Sequence, residues 1–407
     1  KTNLLEQPKI SLDSKSIVQF VNLNIDDINL EKIGKEGIKD RNGIRRGTLG
    51  LDIQSLKTIK KYFKDNKRKP RDIEIETLAQ TWSEHCKHKI FSSKVDNSKK
   101  GLFDTYIKGA TKKIINERKD KFCVSLFSDN AGGISFDKNW IVCHKVETHN
   151  TPSALDPFGG SLTGIVGVNR DCIGFGKGAK PISNTFGFCF AYPNKHYEFY
   201  RSKNKKNQLL SPRFIINGVI NGVKVGGNCS GIPTPQGFVY FDDSYAAKPL
   251  VFCGTLGLIP KKIKGKHAHI KRAKPGDKIL MIGGRVGKDG IHGATFSSEE
   301  LDKRSPVTAV QIGDPITQKK FSDAIIKEIR DDNLYNSITD NGAGGLSSSV
   351  GEMAKESGGF IVDLDLVPLK YPGLQPWEIW ISESQERMTM SVSSENEKKI
   401  IDLLNKR

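Results

Sequence analysis

The run HKVETHNTPSALDPFGG, from His144 to Gly160, constrains this chain more than any other stretch. Trp140, Val142, His144 and Val146 alternate with Ile141, Cys143, Lys145 and Glu147. That period of two marks a strand, so Lys145 and Glu147 leave one face together. The strand then enters a turn carrying His149, Asn150 and Pro152. A cation, a carboxylate and an imidazole thus converge at a strand end, where active sites are commonly built. An exposed strand end with ordinary charges is the competing reading.

The chain has 407 residues, enough for two cores at about 100–200 residues per domain. No apolar run approaches the roughly 20 residues of a membrane span, and no signal-peptide pattern is present. The chain starts at Lys1 without a methionine, which suggests processing or excision from something longer. Seven cysteines without a CxxC pair argue for reduced thiols and a cytoplasmic protein. The net charge of +18 gathers in basic runs: Lys60 to Lys69, Arg201 to Lys206, and Lys261 to Lys266. No aromatic interleaving or nucleic-acid motif accompanies them, so a lysine-biased surface or a phosphorylated small substrate explains the charge better than nucleic acid does.

Residues 1–70 read as an appendage or linker with one short helix near Ile53 to Phe63. From Ile73 to His88 the stripe Ile75, Leu78, Ala79, Trp82 and Cys86 predicts a helix, with Asp72, Glu74 and Glu76 at its positive end. Glycine- and β-rich sequence follows to about Leu258, with strands near Trp140–Glu147, Phe186–Ala191 and Phe238–Phe241. The basic stretch Pro260 to Lys274, closed by Pro275-Gly276-Asp277, marks a boundary between domains at 71–260 and 261–407. Beyond it the pattern predicts strands at Lys278–Ile282, Phe360–Leu366 and Met388–Val392. Helices are predicted at Ile316–Ile329, at Leu346–Glu356 and from Glu395. The whole is a mixture of α+β and α/β character.

No P-loop and no Rossmann fingerprint is present, so a nucleotide would be held through magnesium on carboxylates. Glu147 is one candidate. Asp171 lies beside Arg170, a natural phosphate fork, and Asp340 in ITDNGAGG precedes a glycine loop that opens a helix. Asp before Gly is also ordinary turn chemistry. His85 and His88 flank Cys86 on the predicted helix; a catalytic or substrate-binding role suits them better than zinc, since no second ligand cluster appears. GGRVGKDGIHGATF, Gly283 to Phe296, is a flexible loop whose glycines allow close approach to a ligand.

Six runs, in order, resemble phosphoribosylformylglycinamidine synthases. They are TWSEHCKHK (Thr81 to Lys89), KVETHNTPSALDPFGGSLTGIVGVNRD (Lys145 to Asp171), GGRVGKDGIHGATF, VQIGDP (Val310 to Pro315), TDNGAGGLSSSVGEMA (Thr339 to Ala354) and PWEIWISESQERM (Pro376 to Met388). The SEHC and SESQERM segments favour this family over aminoimidazole ribonucleotide synthetase and selenophosphate synthetase. The resemblance implies an aminoimidazole-ribonucleotide-synthetase-like unit, an α+β half that pairs through β-sheet followed by an α/β half. It also implies a cytoplasmic ligase of purine biosynthesis that uses ATP and Mg²⁺ to convert formylglycinamide ribonucleotide to the amidine with glutamine-derived ammonia.

Carried onto this sequence, the resemblance implies His85 and His149 as catalytic, Lys145 and His88 as ATP contacts, and Glu147, Asp171 and Asp340 as Mg²⁺ ligands. Substrate would meet Thr148, His149, Asn150, Thr151, Arg170, Gln311, Glu383, Ser384 and Gln385. Thr151 stands where many relatives have a second histidine, and His88 where some have tyrosine. The family's synthase region is an internal duplication, and this sequence matches its first copy. The resemblance therefore implies partnership with a second half and a glutaminase domain or subunit, or pairing as a homodimer. The alternatives are a substrate-binding half without turnover, or a superfamily relative acting on another substrate.

Overall fold

The computed structural model describes residues 16–96, 98, 100–118, 122–197, 210–297 and 309–407, and the basic run from Arg201 to Lys206 falls outside them. Its centre is a six-stranded sheet in the order β1-β2-β3-β6-β4-β5. The strands are β1 (Cys123–Ser125), β2 (Gly132–Ser135), β3 (Trp140–Thr148), β4 (Lys180–Phe190), β5 (Gln236–Phe241) and β6 (Leu250–Pro260). All neighbours are antiparallel except β4 and β5. Ile141 and Cys143 are buried on one face of β3, and Lys145 and Glu147 share their parity.

The helices α1 (Asp27–Glu36), α2 (Ile53–Asp65) and α3 (Asp72–Thr81) precede this sheet. Asp26 and Asp52 cap the first two by accepting from Asn29 N and Ser55 N. The sequence predicts an appendage with a single helix as far as residue 70; the structure instead gives this region its own core. Val21, Leu23, Leu49 and Leu51 in extended segments pack with Leu30, Leu56, Ile59, Phe63, Ile75 and Ala79. The extended contributors have no helical period, which is why no stripe announces them. Short helices α4 (Glu84–Lys87) and α5 (Lys89–Ser92) and a π turn leading into α6 (Gly109–Glu117) connect this unit to β1.

Three helices lie between the strands: α7 (Asn150–Leu155), α8 (Pro157–Gly174) and α9 (Pro212–Ser230). Sequence reading found only β-rich, glycine-rich chain here. The reason is burial on all sides: 14 of the 18 residues of α8 are buried, so no polar face sets off an apolar one. Asp156 caps α8 through Gly159 N, Pro157 opens it, and Ser211 and Pro212 do the same for α9. The glycines serve helix–helix approach. A Cβ on Gly222 would lie 2.1 Å from Ser161 Oγ, and one on Gly226 would lie 2.3 Å from Ile165 Cγ2. Leu162, Ile165, Val166, Val219, Val223, Phe188 and Val251 form the core under the sheet. The opposite sheet face leaves Trp140, Val146, Leu256, Phe238 and Tyr240 exposed.

A hairpin of β7 (Lys262–Ile263) and β8 (Lys266–His267) leads to a second sheet, ordered β10-β11-β9 and antiparallel throughout. It comprises β9 (Lys278–Gly283), β10 (Ser337–Asp340) and β11 (Arg387–Val392). Around it stand α10 (Gly293–Ser297), α11 (Pro315–Ala324) extended by a π turn to Ile329, α12 (Gly345–Ser357), α13 (Pro376–Ile381) and α14 (Ser394–Leu404). The strand expected at Phe360–Leu366 is absent. Gly358 and Gly359 have positive φ, Ile361 is fully exposed, and only a 3₁₀ turn forms at Leu364–Leu366. Val362 and Leu364 pack on Trp377 and Trp380 instead of pairing with a strand. Among the described residues no helix is long and apolar enough to cross a membrane, and all seven cysteines are unpaired.

Candidate active site

A cavity of about 750 Å³ opens between the large sheet with α8 and the second sheet with α12. The end of β3 supplies its first wall. Lys145 Nζ lies 3.3 Å from Asp171 Oδ2 and 3.7 Å from Glu147 Oε2. The chain then turns at His149, whose Nδ1 is 2.5 Å from the Gly160 carbonyl. A carbonyl only accepts, so Nδ1 carries the proton and Nε2 presents a lone pair. Burial pushes the His149 pKa down to about 4, the Gly160 bond opposing it, so the ring is neutral near pH 7.

His85 enters from α4. The helix expected to run unbroken from Ile73 to His88 breaks after Thr81, because Ser83 accepts from Cys86 N and starts a new helix. His88 ends it at φ 51, in the left-handed region. Both histidines line the cavity. The His85 side chain is exposed, yet desolvation by the protein packed around it lowers its pKa, with Glu147 opposing and His88 and Lys145 assisting.

The second wall is acidic. Asp171 comes from α8, and Asp340 from the end of β10. Asn130 Nδ2 donates to both, 3.3 Å to Asp171 Oδ1 and 2.9 Å to Asp340 Oδ1. Burial, then the neighbouring Asp340, push the Asp171 pKa up to about 7 against Lys145. Burial raises Asp340 as well, against Arg170. Arg170 Nη1 lies 3.0 Å from Glu386 Oε1 and Nη2 donates to Gln385 Oε1. Its Nε has no hydrogen-bond partner and faces Asp340 Oδ2 at 3.9 Å.

Among the described residues no three His, Cys, Asp or Glu side chains cluster at metal-holding spacing. The expected set Glu147, Asp171 and Asp340 is therefore no closed cage: Lys145 stands between Glu147 and Asp171. The pair Asp171–Asp340 does fit magnesium, which is commonly held by one or two carboxylates with water and phosphate oxygens completing its shell.

Of the fifteen residues singled out in the sequence, His85, His88, Lys145, Glu147, Thr148, His149, Arg170, Asp171, Gln311, Asp340, Glu383 and Gln385 line this cavity. Asn150, Thr151 and Ser384 do not. Asn150 Oδ1 accepts from Val251 N, and Thr151 Oγ1 donates to the Ser297 carbonyl. Ser384 Oγ accepts from Gly287 N and donates to Asp289 Oδ1, holding the glycine loop. Glu383 is fully buried and accepts from Gln80 Nε2, Gln311 Nε2, Ala294 N and Gly344 N. It ties four segments together, and burial pushes its pKa up to about 7 against those donors. Sequence reasoning missed Asp129, Asn130, Lys271 and Glu352 in the lining. A signal existed for the first two: DNAGG at 129–133 echoes the DNGAGG at 340–345.

Family profiles match at residues 43–89 (formylglycinamide ribonucleotide amidotransferase linker domain), 128–259 and 274–407 (AIR synthase related protein, N-terminal and C-terminal domains). Phosphoribosylformylglycinamidine synthase subunit PurL of Picrophilus torridus is 38% identical over 94% of this chain and 46% of the relative. The chain belongs to the phosphoribosylformylglycinamidine synthase family. The Staphylococcus aureus PurL is 34% identical over 95% of this chain and 46% of its own length. Among solved structures, Thermotoga maritima PurL complexed with FGAR matches with a TM-score of 0.67 and 30% identity, covering 86% of this chain and 50% of that one. The same protein complexed with ATP gives 0.62 and 29%, covering 86% and 49%. A T. maritima PurLQS structure is also similar, with a TM-score of 0.62 and 28% identity over 86% and 48%. The chain spans about half the length of the curated family relatives it matches.

Proposed function

We propose that the chain is the first half of the synthase region of an ATP-dependent ligase that converts formylglycinamide ribonucleotide to the amidine in cytoplasmic purine biosynthesis. One observation carries the reading: Asp171 and Asp340, from opposite halves, share the Asn130 amide in a cavity that also holds Lys145 and a neutral His149.

An amide oxygen is a poor leaving group, so it must be activated before nitrogen can replace it. Transfer of the γ-phosphoryl group of ATP to that oxygen breaks the bond to ADP and forms a new P–O bond. Ammonia then adds at the carbon, and phosphate departs with the electrons of the C–O bond. Lys145, with His88 nearby, would meet the nucleotide and offset charge that builds during transfer. His149 Nε2 is free to take a proton, since Nδ1 is committed to Gly160. His85 would act close by, within the electrostatic reach of Glu147, Lys145 and His149. Magnesium held by Asp171 and Asp340, with Glu147 on the far side of Lys145, would neutralise the phosphates.

Arg170, Gln311, Glu383 and Gln385 would shape the substrate pocket. Ser384, Asn150 and Thr151 would act through the backbone they fix rather than by side-chain contact. Ammonia would come from a glutaminase domain or subunit. The outward apolar face of the six-stranded sheet would be covered by the second half or by a second copy.

The test is ADP release from formylglycinamide ribonucleotide, ATP, Mg²⁺ and ammonium, with wild type beside His149→Ala. Turnover lost in the variant supports the assignment. If wild type turns over only after the complementing half is added, the chain is an incomplete fragment of the synthase; retained substrate binding without ADP formation would mark a binding half. No turnover even then, on this substrate, would sink the proposal.

A further inference from the structure

We propose that Asn130 and Lys271 are positioning residues that register the Asp171 carboxylate of one half against the Asp340 carboxylate of the other. The inference rests on the function proposed above; it gives the Asn130 amide a role and adds Lys271, which that reading does not use.

Lys271 lies in the stretch between β8 and β9 that joins the two sheets. Its Nζ is 2.6 Å from Asp129 Oδ1, 3.1 Å from Asn130 Oδ1, 2.6 Å from the Gly174 carbonyl and 2.8 Å from the Ile338 carbonyl. An ammonium has three protons and no lone pair, so these four acceptors share them. Gly174 ends α8 three residues after Asp171, and Ile338 lies in β10 two residues before Asp340. One cation therefore holds both elements that deliver the aspartates.

The same ammonium decides which way Asn130 points. It can only donate, so the amide atom facing it is oxygen, and the NH₂ group must face the carboxylates. That NH₂ reaches Asp171 Oδ1 at 3.3 Å and Asp340 Oδ1 at 2.9 Å, with Thr339 Oγ1 also at 3.3 Å. Two acids from different halves would otherwise repel each other and drift apart. Space around the amide is fitted: a Cβ on Gly174 would come within 3.1 Å of Asn130 Cγ and Nδ2. Residues that hydrogen-bond metal-ligating carboxylates typically affect ion affinity by about 10–100-fold.

The experiment is Mn²⁺ binding with ATP, followed by electron paramagnetic resonance on the intact protein, beside calorimetric binding of formylglycinamide ribonucleotide without metal. Asn130→Ala and Lys271→Met should weaken Mn²⁺ by about 10–100-fold, while ribonucleotide affinity stays within about twofold. Lys271→Arg should recover most of the loss. Gly174→Ala, whose methyl has the Asn130 amide as its nearest neighbour, is the second route if Lys271→Met fails to fold, and it should also weaken Mn²⁺. Folded variants that bind Mn²⁺ like wild type would overturn the positioning role and leave the proposed function standing. A wild type that binds no Mn²⁺·ATP would overturn both.

Discussion

His149 should remain uncharged far into the acid range, and the stability of the protein should record it. A free imidazole takes its proton near pH 6.5 and this one near 4, a gap worth roughly 3 kcal/mol in favour of the neutral ring. Water in the open cavity brings the expected effect to about 2–3 kcal/mol. The unfolded chain therefore binds more protons than the folded one between those values. The stabilisation is complete above pH 6.5 and is lost as pH falls through about 4. His149→Asn keeps an N–H for the Gly160 carbonyl but has nothing to titrate. The stability advantage of wild type over the variant should thus shrink by about 2–3 kcal/mol from pH 7 to pH 4. Urea melts of both proteins across that range measure it, and NMR of ¹³C-labelled histidine reads the imidazole directly. A His149 signal titrating between pH 6 and 7, with both proteins losing stability in parallel, would refute the argument and with it the neutral-base role.

Three other outcomes are expected. Glu383→Ala should lower the melting temperature clearly, because it strands buried donors at about 1–3 kcal/mol each. Glu383→Gln should cost under about 1 kcal/mol, since Gln311 Oε1 lacks a partner and can accept the new amide; equal melting temperatures for the two variants would contradict the hub role. Gly222→Ala should destabilise by about 1–3 kcal/mol despite alanine's better helix propensity, because its methyl meets Ser161 Oγ and the Phe158 carbonyl; a raised melting temperature would show that α8 and α9 are not glycine-limited. Phe238→Lys with Leu256→Glu should abolish any self-association or capture of the second half seen by sedimentation velocity, and unchanged complexes would remove the outward sheet face as the pairing surface.

What could be read from the sequence follows the physics of each element. Strand β3 was legible because one of its faces is covered and the other is not, so its side chains alternate. The long helix α8 was not, because burial on every side erases the contrast that periodicity needs. Lys145, Glu147, His149 and Asp171 could be found as titratable groups stranded among apolar and glycine-rich residues. Lys271 could not: it sits in a basic stretch that looks like a solvated boundary, and only the fold shows its ammonium turned inward. Asn150, Thr151 and Ser384 show the opposite failure. They lie inside motifs that reach the cavity, but their side chains bond to backbone and loop and do not line it.

The nine pairs that join β3 to β6 impose an order on the birth of this protein. Strand β3 ends at Thr148 and its central neighbour begins at Leu250. At about 5–20 residues per second, a ribosome needs on the order of 5–20 seconds to deliver the partner. Through that interval β3 has β2 on one side and an open edge on the other, while β4 waits for the same strand. Open edges invite pairing with other chains. A nascent chain arrested before residue 250 should therefore be a better chaperone client, and a worse soluble protein, than one arrested just after residue 260.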